Sequence, residues 1–149
     1  MNLVVKQIRD IIDPNLPLVS NLSNASRILY EMGDINWAGF YIAKDDVLYL
    51  GPFQGEVACT RIEKGKGVCG TCLAKKETII VPNVHEFKGH IACSSKSNSE
   101  IVVPIFVNDE VVALIDIDSP SFNRFSSEDK EDLEEVSKLF SSLFKELLM

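Results

Sequence analysis

The sequence holds no apolar run that approaches the ~20 residues of a membrane span, and no surplus of basic residues. Its 149 residues include 15 Lys and Arg against 22 Asp and Glu, a net charge of −7. That balance argues against a nucleic-acid backbone or an anionic membrane as partner. Internal repeats and low-complexity tracts are lacking too, and no linker is long enough to divide the chain. One domain over residues 1–149 is therefore expected. Met1 to Asp13 is amphipathic, with Lys6, Arg9 and Asp10, and lacks the charged-then-apolar layout of a signal peptide. The expected compartment is the cytoplasm, where thiols stay reduced.

What is present is enough apolar material for one core, 46% of the residues, and a clear order of periods. Leu18, Leu22, Ala25, Leu29 and Met32 are spaced three and four apart, one stripe of a helix that Gly33 stops. The period then changes. Trp37 to Ile42 reads as a strand, Asp45-Asp46 as a turn and Val47 to Leu50 as a returning strand that Gly51-Pro52 ends. Val57 to Ile62 is a third candidate strand, Val68 to Lys76 a short helix, and Thr78 to Val81 a short β-branched strand. No period runs through Pro82 to Glu100, a segment of the kind that is usually functional inside a compact domain. Ile101 to Val107 and Val111 to Asp118 flank a tight turn at Asn108-Asp109. Pro104 cannot donate to a sheet ladder, so it implies an edge or a bulge. Ser126 and Asp129 form a capping box before a helix with Leu133, Val136, Phe140 and Leu143 on one face. Strand pairs joined by tight turns favour an antiparallel sheet with helices on one side, an α+β domain.

The chemistry concentrates in the middle of the chain. Asp116 and Asp118 are two apart on a strand, so both carboxylates point the way Val112 and Leu114 point. On the core side they would hold an ammonium group or share a proton; on the other side they would be solvated. Glu100 opens the partner strand near the same end. Three carboxylates together would raise at least one pKa, and are also a donor set for a hard metal, although no metal-site motif accompanies them. Cys59, Cys69, Cys72 and Cys93 all fall within residues 59–93. In a reducing compartment such clustering points to metal binding or catalysis, with packing of a small hydrophobe as the alternative. Cys69 and Cys72 make a C-x-x-C, but zinc needs about four ligands, and Cys59, Cys93, His85 and His90 lack ribbon or finger spacing. The βαβ context of a thioredoxin-like motif is missing. Cys93 sits in the irregular segment, the setting that gives a thiol access and nearby donors, with Cys59 and Cys69 as candidates to resolve its oxidised form.

Six blocks resemble one known family. They are Asn36-Trp37-Ala38-Gly39-Phe40-Tyr41, Leu50-Gly51-Pro52-Phe53-Gln54-Gly55, Gly67-Val68-Cys69-Gly70-Thr71, Gly89-His90-Ile91-Ala92-Cys93, Ser97-Asn98-Ser99-Glu100-Ile101-Val102 and Asp116-Ile117-Asp118-Ser119. Together, and in this order, they are similar to the free methionine-(R)-sulfoxide reductases. The resemblance implies a GAF-type fold, an antiparallel sheet of about six strands with the N- and C-terminal helices packed on one side. It implies reduction of free methionine (R)-sulfoxide, with thioredoxin as reductant, no cofactor or resident metal, and homodimers in many members. By motif, Cys93 resembles the catalytic nucleophile, Cys59 the main resolving cysteine and Cys69 a back-up or relay. Trp37, Glu100, Asp116 and Asp118 resemble the substrate pocket. Cys72 departs from the family pattern, where a small apolar residue is more usual, and reads as packing. The rival reading is a non-catalytic GAF module that binds a small ligand.

Overall fold

The apolar stripe read from the sequence is buried along a helix. Leu22, Ala25 and Leu29 are fully inside in α2 (Leu18–Tyr30). The computed structural model describes residues 2–89 and 96–147, with side chains of the last helix described to residue 144. α1 (Leu3–Ile11) precedes α2. Then come β1 (Trp37–Lys44), β2 (Val47–Gly55), β3 (Arg61–Glu63), α3 (Gly67–Lys75) and β4 (Ile79–Val81). A 3-10 turn at Val84–Glu86, β5 (Ser99–Val107), β6 (Glu110–Ser119) and α4 (Ser127–Leu147) complete the order. Among the described residues six strands form one antiparallel sheet, ordered β3-β2-β1-β6-β5-β4. This is the α+β fold expected from the sequence.

The two hairpins turn where the sequence says. Asp45 and Asp46 both have positive φ, 53° and 63°, as do Asn108 and Asp109, 52° and 64°. That pairing is the two-residue turn whose twist matches the flanking strands, and Asn and Asp tolerate it best after Gly. At α4, Asp129 accepts from the Ser126 backbone N–H (2.8 Å) and donates its own N–H to Ser126 Oγ (3.2 Å), the predicted reciprocal cap.

Alternation along the strands separates two apolar layers. Ala38, Phe40, Ile101, Val103, Ile105, Ala113, Ile115 and Ile117 face α1, α2 and α4. There the Phe40 and Phe140 rings meet edge to face, centroids 5.2 Å apart. Tyr41, Leu48, Val102 and Leu114 face the other way, onto Val68, Cys69, Cys72 and Leu73 of α3. The helices at the two ends of the chain thus share one face, as expected, and the small central helix covers the other.

Three boundaries differ from the sequence reading. Gly51-Pro52 does not end β2. The register slips between Gly39 and Tyr41, so the proline is carried on a bulge and the strand runs on to Gly55. The third strand is Arg61–Glu63 rather than Val57 to Ile62, because only residues 61–63 pair with β2. Val112 does not share a face with Leu114. A slip between Ile105 and Phe106 makes Val112 an extra residue, turned into the α1–α2–α4 layer. Pro104 stands on β5 beyond the reach of β4, whose pairing stops at Val102, and one residue before the register slip between Ile105 and Phe106.

Candidate functional site

One row of cross-strand partners crosses the sheet: Gly55, Trp37, Asp118, Glu100 and Val81. Residues directly opposite in a ladder point to the same face. The next row on that face carries Phe53, Gly39, Asp116 and Val102. The sequence-predicted residues Trp37, Glu100, Asp116 and Asp118 therefore stand side by side, on the face that α3 covers. Gly39 lies between Phe53 and Asp116, and a Cβ there would come within 2.4 Å of Phe53 Cβ, so only glycine lets β2 pack this closely.

α3 presses close at its N-terminal end. A Cβ on Gly70 would lie 2.4 Å from the Glu63 carbonyl oxygen, so only glycine permits the approach. Cys69, one residue before, is buried, with its thiol 4.0 Å from Glu100 Oε2. Donor atoms of Cys69, Glu100 and Asp116 all lie within 4.8 Å of one another. Cys72, one turn further on, is fully buried, and its thiol lies 3.9 Å from the Val102 carbonyl. It packs in the apolar layer under α3, where burial first and then the Asp116 and Glu77 charges push its thiol up.

Burial governs the electrostatics. Glu100 and Asp116 are 7% and 6% exposed, and Asp118 buries its carboxyl oxygen Oδ1 although the residue as a whole is half-buried. Loss of solvent pushes Glu100 well above the ordinary carboxylate range, and the charges of Asp116 and Asp118 push it further. Asp118 is also raised well above its usual value by burial and by Asp116, with the Ser97 hydrogen bond acting against both. Asp116 is raised by burial, and hydrogen bonds from Glu100 and Cys69 oppose the rise. Hydrogen bonds to the two aspartates raise Glu100 further, and the same bonds oppose the rise at Asp116 and Asp118. Burial and the three carboxylates hold the Cys69 thiol far from ionisation. Among the described residues, three buried side-chain oxygens lack a hydrogen-bond partner: Asp116 Oδ1, Asp118 Oδ1 and Asn36 Oδ1. Orphaned buried acceptors are costly, and they point to donors brought by a ligand.

Aromatic residues of β1 build the wall. Trp37 stacks on Phe53 (5.2 Å, 15°) and lies beside Tyr41 (6.0 Å, 25°). Both polar tips reach the segment after β2. Trp37 Nε1 donates to the Glu56 carbonyl at 3.1 Å, and the Tyr41 hydroxyl donates to the Cys59 carbonyl at 2.9 Å. Cys59 is disulfide-bonded, whereas Cys69 and Cys72 are free. Cys93 and His90 lie outside the described residues. His85 is exposed and engaged with Asn98, its Nε2 2.8 Å from Asn98 Oδ1.

Sequence reasoning passed over Tyr41, Ser97 and Asn36 as site residues. Tyr41 is two pleats along from Trp37, so the period of two along β1 was the available signal. Ser97 and Asn36 carried no such signal. Their contact with Asp118 depends on three segments meeting at one end of the sheet.

The GAF-domain family pattern matches residues 17–143. The chain is 50% identical over 119 residues to the free methionine-R-sulfoxide reductase of Escherichia coli K12, covering 79% of this chain and 72% of that protein. It is 49% identical over 144 residues to the enzyme of that name from Saccharomyces cerevisiae, covering 89% and 80%. The crystal structure of free methionine-R-sulfoxide reductase from Neisseria meningitidis, in complex with its substrate, superposes with a TM-score of 0.90 at 40% identity, over 95% of this chain and 86% of that one. With the two rows of carboxylates and aromatic rings on its helix-covered sheet face, the chain belongs to the GAF-domain family and, within it, to the free methionine-R-sulfoxide reductases.

Proposed function

We propose that the protein reduces free methionine (R)-sulfoxide to methionine by cysteine chemistry, in the cytoplasm, with thioredoxin restoring the thiols. The observation that carries this reading is the pair of buried, unpartnered oxygens on Asp116 and Asp118, beside a Glu100 that burial and its two neighbours raise well above the carboxylate range. The ammonium group of a free amino acid supplies the missing donors, and a residue within a peptide chain has no such group to offer.

Each residue then has a distinct task. Asp116 and Asp118 accept from the substrate ammonium. The Trp37 ring walls its apolar arm. The Cys93 thiolate attacks the sulfoxide sulfur while Glu100 hands its proton to the sulfoxide oxygen. Net, the oxygen passes to Cys93 as a sulfenic acid and methionine leaves. The Cys59 thiol condenses with that sulfenic acid, forming the disulfide and releasing water. An external dithiol reduces the bridge by exchange. The disulfide at Cys59, beside free Cys69 and Cys72, supports Cys59 as the resolving cysteine and Cys69 as a reserve. The rising pKa of Cys69 under burial also disfavours it as an attacking thiolate.

A thiol count separates this from a binding module. Stoichiometric free methionine (R)-sulfoxide should remove about two thiols per molecule reduced. A protein that binds the compound and keeps all its thiols is a sensor instead.

A further inference from the structure

Two polar side chains outside the expected site close a partly buried chain onto Asp118. Asn36 Nδ2 donates to Ser97 Oγ at 3.2 Å, and Ser97 Oγ donates to Asp118 Oδ2 at 2.9 Å. Ser97 is 5% exposed. The backbone braces both ends: Asn36 N–H donates to the Asp118 carbonyl (3.0 Å), and Asn98 N–H donates to the Ser119 carbonyl (2.8 Å). The Asn98 side chain adds a bond to the Pro120 carbonyl at 2.7 Å. Ser97 is therefore held at a fixed distance from β6 while its hydroxyl points at the carboxylate.

We propose that Ser97 is a positioning residue which, with Asn36 behind it, occupies Oδ2 of Asp118 so that Oδ1 is left as an aimed acceptor for the substrate ammonium group. The inference rests on the proposed role of Asp118 in binding that group. Its logic is one of division of labour among three crowded carboxylates. A hydroxyl that donates to a carboxylate favours its ionised form. Asp118 receives such a donor from Ser97, against the burial and the Asp116 charge that oppose ionisation. At Glu100, burial, the Asp116 and Asp118 charges and its hydrogen bonds to both all raise the pKa instead. Ser97 thus gives Asp118 a donor that favours an acceptor role among three like groups. Among the described residues the titratable groups facing Asp118 are Glu100 from β5, Asp116 on its own strand, Tyr41 from β1 and Cys69 from α3.

The test combines a titration with kinetics, on the full chain. Carboxyl 13C resonances of labelled aspartate, with Asp118 assigned through Asp118→Asn, are followed against pH in wild type, Ser97→Ala, Ser97→Thr and Asn36→Ala. Ser97→Ala should move the Asp118 midpoint upward, Ser97→Thr should return it, and Asn36→Ala should move it partway. With free methionine (R)-sulfoxide, Ser97→Ala should raise KM about tenfold or more, the scale of one hydrogen bond to a charged group, with kcat within about twofold. An Asp118 midpoint that is the same in wild type, Ser97→Ala and Asn36→Ala overturns the proposal, as does a Ser97→Ala enzyme that loses kcat at unchanged KM. A shifted midpoint in a protein that turns over no sulfoxide sustains the positioning role and sinks the reductase reading instead.

Discussion

Glu100 and Asp118 stand directly opposite each other across β5 and β6, two carboxyl groups on one sheet face with Trp37 next in the row. Burial raises both well above the carboxylate range, and the hydrogen bond between them raises Glu100 while it opposes the rise at Asp118, so Glu100 is the proposed proton holder. In the proposed cycle the proton is the one the sulfoxide oxygen needs. Glu100→Gln should therefore lower kcat by about 100-fold or more with a small change in KM. Asp118→Asn, which weakens ammonium binding, should mostly raise KM. The reverse split, measured by steady-state kinetics on both variants, exchanges their roles.

The same burial sets a pH dependence of stability. Glu100 has its folded pKa raised, so the folded state binds more protons than the unfolded one between the ordinary carboxylate pKa and the raised value. The stability linked to this group is fully present below about pH 4 and is lost as pH rises through the folded-state value. Glu100→Gln removes that loss. Its melting temperature should exceed that of wild type by about 3 °C or more at pH 8, and the gap should close near pH 4. Calorimetry at the two pH values decides, and an equal gap at both would mean that Glu100 is solvated.

Trp37 is the chain's single tryptophan, so it reports on the site directly. A Cβ on Gly55 would lie 2.6 Å from Trp37 Cδ1 and 2.8 Å from the Asn36 carbonyl oxygen, at a φ of +130°. Gly55→Ala should destabilise by more than about 2 kcal/mol, shift the Trp37 emission to the red and raise KM. Gly65→Ala is the control. Its φ is also positive, +86°, but nothing lies within 4 Å of the added methyl. Equal effects of the two would reduce the Gly55 result to backbone strain.

Much of this arrangement was legible in the sequence, for identifiable reasons. The turn residues Asp45-Asp46 and Asn108-Asp109 fixed the hairpins, and the spacing of Asp116 and Asp118 placed both on one face. The side chain of Val112 was misplaced because a bulge adds a residue to β6 without changing its hydrophobic character. Pro52 misled in the same way, since a proline on a bulge and a proline ending a strand look alike. Tyr41, Ser97 and Asn36 went unnoticed because their partners, Cys59 and Asp118, are far along the chain and near only in the folded sheet.

Cys72 completes the C-x-x-C with Cys69, yet its thiol lies against the Val102 carbonyl in the apolar layer under α3. Cys72→Ala should leave kcat/KM within about twofold and cost about 1–2 kcal/mol in stability through the small cavity it leaves. Chemical denaturation with parallel assays measures both. A drop in turnover beyond about tenfold at unchanged stability would give Cys72 a redox role.

The route of the oxidised sulfur is open to peptide mapping. After one equivalent of free methionine (R)-sulfoxide, digestion under non-reducing conditions should yield mainly a Cys59–Cys93 peptide pair. In Cys59→Ser the bridge should fall to Cys69–Cys93 with slower recycling. A predominant Cys69–Cys93 bridge in wild type would make Cys69 the resolving residue.

The central claim is a reaction at one thiol on one epimer of a free amino acid. Its most direct measurement is methionine release from the free (R)- and (S)-sulfoxides with thioredoxin and its reductant, on wild type and on Cys93→Ser. The account predicts turnover of the (R)-epimer by wild type, little or none of the (S)-epimer, and none by Cys93→Ser with its fold intact. Turnover of the (R)-epimer by Cys93→Ser above a few per cent of wild type, or its absence in wild type, would contradict it.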